Sequence, residues 1–148
     1  MIAKLDHLLR LWEAKRGGDA MPVQSAFGAE DLRPWLPNVA LIEVHAGPKR
    51  FFYRLAGTAL VTRYGVNFTG RWLEDLRIPD SPGYWEQQYA LTAAEKTPRL
   101  GAVPQFDADY NQRSCSWLML PLIPDLAPRG GPGPIELVIL ACVQFNAA

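Results

Sequence analysis

Few residues of this chain fall into the groupings that acid–base or nucleophilic chemistry needs. The two histidines are His7 and His45, and Asp107, Asp109 and Tyr110 form a small polar group later in the chain. Catalysis by such groups needs distinct roles held in contact. His7 falls in a helical pattern and His45 at a strand end, far apart, and neither sits beside a nucleophile pattern. Asp107 and Asp109 fit a hairpin turn, where Asp bonds its own backbone, better than an acid/base pair. Arg129-Gly130-Gly131 lacks the Lys-Ser/Thr and the following helix of a phosphate cradle. Cys115 and Cys142 show no metal-ligand spacing and lie in apolar strand-like runs, as buried thiols do. A disulfide between them would require those strands to be neighbours; reduced thiols in a cytosolic protein are the expectation. No catalytic residue and no metal ligand set is predicted, so the chain reads as a binding protein and not an enzyme; a small α+β enzyme using Asp107 or Asp109 is the least favoured alternative.

The binding chemistry lies in the aromatic residues. Tyr53, Leu55, Tyr64, Trp72, Trp85, Gln88, Tyr89 and Trp117 are the candidate lining of a pocket. Tyr and Trp pair an apolar body with a polar tip, which a ligand site uses and a plain core does not. Gln88 and Thr92 share a helix face with aromatics where a sealed core would take Leu and Ile. That mixture predicts a cavity, and a core filled by its own rings is the alternative. Arg54 stands mid-strand among apolar residues, so it must reach solvent or a carboxylate.

The elements that position these residues follow from periodicity. Residues 39–46 and 51–56 are two strands joined at Gly47-Pro48, with Phe51, Tyr53 and Leu55 predicted on one face and Phe52, Arg54 and Ala56 on the other. A short helical turn at 59–64 ends at Gly65. Upstream, Ile2, Leu5, Leu8, Leu9 and Trp12 make an apolar stripe on a helix over residues 3–16, stopped by Gly17-Gly18. The stripe belongs either on the back of a sheet or against a second copy, and Leu5, Leu8, Leu9 and Trp12 are the candidate dimer interface. Residues 25–36 form an anchored connection through Leu32, Trp35 and Leu36, and residues 67–79 an irregular stretch. A second helix runs over 82–96, with Ser81 as cap and Pro82 at its first position. Three strands follow: 99–106, demoted to an edge by Gly101 and Pro104; 112–122; and 135–145, apolar on both faces from Leu137 to Val143. Residues 124–134 form a Gly/Pro-rich loop.

Length and composition fit one soluble domain: 148 residues, 49% apolar, fifteen basic and fifteen acidic residues. The balanced charge argues against nucleic acid, and no run is long enough to span a membrane. The predicted organisation is an amphipathic helix at 1–18 followed by one domain at 19–148. The fold class is α+β, a five-stranded antiparallel sheet of order 2-1-5-4-3, with helices on one face and an N-terminal helix.

Particular residues sharpen this. LWEAKRGG at 11–18, Met21-Pro22, DLRPWLPNVALIEV at 31–44, FFYRLAGTALVTRYG at 51–65, TGRWLEDL at 69–76 and LMLPL at 118–122 resemble the PAS-like family common in alphaproteobacteria. The resemblance implies a PAS fold, a small stand-alone cytosolic protein and no catalytic set. The cysteine motif of flavin-binding light sensors is absent, and no histidine lies in the 82–96 helix where haem-binding PAS domains usually place their ligand. No haem or flavin is therefore expected, and an unidentified small molecule is the candidate ligand. A sensory or regulatory role follows, with output through a homodimer or an unidentified signalling protein.

Overall fold

A computed structural model describes residues 3–46, 48–76, 82–106, 112–125 and 134–145. Its helices are α1 (Ala3–Arg16), α2 (Ala29–Leu32), α3 (Thr58–Tyr64) and α4 (Pro82–Glu95). Its strands are β1 (Val39–His45), β2 (Arg50–Ala56), β3 (Arg71–Trp72), β4 (Arg99–Phe106), β5 (Gln112–Leu122) and β6 (Ile135–Phe145). They form one sheet of order β3-β2-β1-β6-β5-β4, antiparallel throughout. Leaving out β3, this is the order predicted from the sequence. The sixth strand, two residues long, lies in a stretch predicted to be irregular; Trp72 pairs with Phe52 and Arg71 with Tyr53.

The sheet is covered on both faces. α3 and α4 lie over an inner layer that includes Ile42, Phe51, Tyr53, Trp85, Tyr89, Trp117 and Ile139. The outer layer joins Leu5, Leu8 and Trp12 of α1 to Leu118, Leu120, Leu122, Val138 and Leu140, with Leu32 and Trp35 from the connection. The seven residues from Leu137 to Val143 are buried in consecutive positions, as expected of a strand covered on both sides. Two indoles fasten the outer layer: Trp12 donates to the Pro121 carbonyl at 2.9 Å and Trp35 to the Lys4 carbonyl at 2.8 Å.

Two glycines mark close approaches. A Cβ on Gly57 would lie 2.3 Å from the carbonyl oxygens of Leu36 and Pro37, so this position lets α3 start against the turn before β1. On β4 a Cβ at Gly101 would meet the Trp117 ring at 2.3 Å; the indole of the neighbouring strand fills the space a side chain would take.

The two cysteines sit on adjacent strands and opposite faces. Cys115 belongs to the inner layer and Cys142 to the outer, and no disulfide joins them. Burial pushes the Cys142 thiol up to about 12, slightly offset by the charge of Lys4. Ile2, Gly47, Ser81, Asp107, Asp109, Tyr110 and the Arg129-Gly130-Gly131 run lie outside the described residues, as does most of the Gly/Pro loop.

Candidate functional site

The candidate pocket residues separate into two groups. Tyr53, Tyr64, Trp85 and Tyr89 converge on one chamber between the sheet and helices α3 and α4, together with Leu60 and Phe68. Its floor is Ala40, Ala141 and Val143. Ala40 and Ala141 are paired across β1 and β6, and two small side chains side by side leave the rings above without full support. The sequence signal for this floor was an alanine in each central strand, a residue that periodicity counts as apolar without registering its size.

The chamber is almost closed. Its volume is about 30 Å³, room for about one water molecule and not for a metabolite. The ligand-sized pocket expected from the aromatic residues is therefore not present in this conformation. The polar tips find partners inside the protein. The Tyr53 and Tyr89 hydroxyls are 2.7 Å apart, and the Trp117 indole N–H donates to the Tyr84 hydroxyl at 3.0 Å. Burial raises the Tyr89 phenol above its ordinary value, and the bond to Tyr53 pulls part of that back. Gln88 and Thr92, whose polarity suggested an open site, are locally satisfied. Gln88 accepts from Arg99 Nη2 at 2.8 Å, and Thr92 Oγ1 donates to the Gln88 carbonyl one turn earlier at 2.9 Å.

Besides Gln88, three of the candidates lie outside the chamber lining. Trp117 is buried in the inner layer beside Trp85, their ring centroids 6.3 Å apart, without lining the chamber. Leu55 is 40% exposed. Leu41 pairs with Leu55 but Ile42 pairs with Tyr53, so Arg54 is an extra residue in β2. That bulge turns Leu55 away from the row of Phe51 and Tyr53. Trp72 stands on the outer face, edge-on to His45 (5.1 Å) and Phe52 (5.1 Å), with the Arg50 guanidinium 3.8 Å above its ring.

The same corner holds a buried polar cluster. Glu43 is fully buried and His45 nearly so. Glu43 Oε1 lies 3.1 Å from His45 Nε2, and its Oε2 lies 3.4 Å from Arg54 Nη1. Arg54 thus has the carboxylate its strand position demanded. His45 faces no nucleophile among the described residues; it packs between carboxylate and rings. A buried carboxylate with a guanidinium and an imidazole is a structural arrangement that breaks badly if one member is removed.

The proposed dimer stripe is also relocated. Leu5, Leu8 and Trp12 are 0%, 0% and 2% exposed against the chain's own sheet, with Leu9 at the edge of that layer. Five aliphatic positions on β5 and β6 would otherwise face water, so the stripe covers them and is not available to a second copy. Of the two placements open to it, the helix takes the back of the sheet.

Among the described residues no helix is long and apolar enough to cross a membrane, and no cluster of three metal-ligating side chains is found. No curated protein matches the chain. A PAS domain family model matches residues 2–129, a span that takes in α1, the hairpin, both inner helices and β5. With a β2-β1-β6-β5-β4 antiparallel core, helices closing its inner face and this match over most of its length, the chain belongs to the PAS domain family.

Proposed function

We propose that this PAS domain is a non-catalytic regulatory module that acts through protein–protein contact, with its inner layer serving as a closed core. The observation that carries this reading is the chamber of about 30 Å³, bordered by tyrosines whose hydroxyls already bond each other. A partner, whether a second copy or a signalling protein, meets a surface other than the α1 stripe, because that stripe is buried.

Small-molecule sensing is the second reading, favoured by the position of the chamber over the Ala40–Ala141 pair. Its ligand would have to separate Tyr53 from Tyr89 or shift α4, from which both Trp85 and Tyr89 project. The two readings respond oppositely to truncation. In a closed core Tyr89→Ala costs roughly 3–5 kcal/mol of stability, measured by denaturant unfolding. Native mass spectrometry of protein purified from its own host then gives the mass of the bare chain or a simple multiple of it. A stoichiometric small molecule retained in that spectrum, with Tyr89→Ala costing under about 1 kcal/mol, would overturn the closed-core reading in favour of the sensor.

A further inference from the structure

α3 has a second working side. Leu60 and Tyr64 face the chamber, while Thr58, Ala59, Thr62 and Arg63 line an open recess of about 360 Å³ that is completed by Phe145 at the end of β6. The Arg63 guanidinium lies over the Phe145 ring, 4.0 Å from its centroid. Phe145 is itself held edge-on against Tyr64, ring centroids 6.2 Å apart. The guanidinium therefore rests on a fixed platform.

Its hydrogen bonding is incomplete. Arg63 Nη1 is buried and has no acceptor among the described residues. Arg10, Arg16, Arg33, Arg50 and Arg54 each pair with a carboxylate; among the described residues Arg63 pairs with none, and none of those that line the recess is acidic. Covering the Phe145 ring explains the stacking but leaves the sheltered N–H without a partner, which is uncommon for a buried donor. A guanidinium is a planar fork matched to the two oxygens of a carboxylate. Thr58 and Thr62, four residues apart on one helix face and both exposed, add two hydroxyl donors at the rim.

We propose that this recess is a binding site for a carboxylate group. The two oxygens seat on the Arg63 fork, a small turn of the guanidinium on the Phe145 ring brings the sheltered N–H to an incoming oxygen, and the threonine hydroxyls bond at the rim. The carboxylate belongs either to a free organic acid or to an acidic side chain of a partner.

Titration of the ¹⁵N-labelled full chain with benzoate, at constant ionic strength, tests this against benzamide, its neutral counterpart of similar shape. Saturable shifts at residues 58–63 and at Phe145 with benzoate, and none with benzamide, are expected. Arg63→Gln should weaken benzoate by about tenfold or more while signals from the outer layer stay in place. Should that variant unfold, Thr62→Val leaves the stack intact and should weaken benzoate severalfold. Glutamate blocked at both ends serves as the second probe: binding as tight as benzoate assigns the site to a partner's acidic side chain, and benzoate alone assigns it to a free acid. No shift with benzoate, equal shifts with benzamide, undiminished binding in the variants, or shifts centred on Tyr53 and Tyr89 would each overturn the proposal. Only the last of these results also bears on whether the chamber is closed, because Tyr53 and Tyr89 line it.

Discussion

On the outer face of the sheet, leucines from α1, β5 and β6 meet, and the indole N–H groups of Trp12 and Trp35 donate to backbone carbonyls. On the inner face, aromatic rings meet at tilted and edge-on angles, their hydroxyls point at one another, and a void remains over two alanines. Both layers are apolar and both are buried, yet they solve packing differently. Branched aliphatic side chains interdigitate to crystal-like density, whereas large flat rings leave small gaps and bring polar atoms that need partners. The outer layer therefore has one way to be assembled. The inner layer keeps a one-water gap beside its paired hydroxyls.

The largest expected effect lies on the outer face. Trp12→Ala removes a ring that is 2% exposed and leaves the Pro121 carbonyl without its donor, and should cost about 3–5 kcal/mol in denaturant unfolding. Tyr89→Ala on the inner face starts from a gap of about 30 Å³ and should cost about 3 kcal/mol, the lower end of the closed-core range and the smaller loss of the two. An inner-face loss exceeding the outer one would break the contrast and make the rings the better-packed layer.

Alkaline titration sharpens the contrast with smaller effects. The Cys142 thiol of the outer layer is raised from 9.0 to about 12 by burial, and the Tyr89 phenol of the inner layer is raised above 10.0 for the same reason. A group whose folded value is raised stabilises the fold fully below its unfolded value, and that stability is lost as pH climbs toward the folded value. Stability should thus fall from about pH 9 upward, by at most about 1.4 kcal/mol per pH unit for each group. Cys142→Ala should remove the part that begins near 9, and Tyr89→Phe the part that begins near 10. A wild-type unfolding curve that is flat between pH 8 and roughly 11 would show that neither group is as shielded as its burial implies.

Much of this was legible in the sequence because it depends on periodicity. The helix stripe, the doubly apolar run from Leu137 to Val143 and the edge character conferred by Gly101 and Pro104 each follow from side-chain spacing alone. From these comes the strand order. The chamber was legible only as a set of rings. Whether rings leave a ligand-sized space depends on what stands beneath them and on which hydroxyl meets which, and neither Ala40 beside Ala141 nor Tyr53 beside Tyr89 is a neighbour in sequence. Gln88 and Thr92 misled for a local reason, since each finds a partner within a few ångströms on its own helix or at the start of β4. The α1 stripe was ambiguous because a sheet back and a partner copy ask for the same residues.

Leu55 is the sharpest case, and it carries the smallest predicted effect. Strict alternation from Phe51 through Tyr53 places it in the inner layer, where a leucine replaced by lysine would bury a charge and cost several kcal/mol. The bulge at Arg54 instead shifts the row by one, so Leu55 lies opposite Leu41 and is 40% exposed. A one-residue insertion moves every later side chain of a strand to the other face, and no local propensity marks it here. Arg54, the extra residue, meets the buried Glu43 carboxylate across the strand at 3.4 Å. Leu55→Lys should accordingly change stability by no more than about 0.5 kcal/mol, the ordinary range for a surface substitution. Arg54→Ala in the same assay should cost more, because the buried Glu43 carboxylate loses a nearby cation. If Leu55→Lys unfolds the protein while Arg54→Ala leaves it unchanged, the strand runs without a bulge and Leu55 belongs to the inner layer after all.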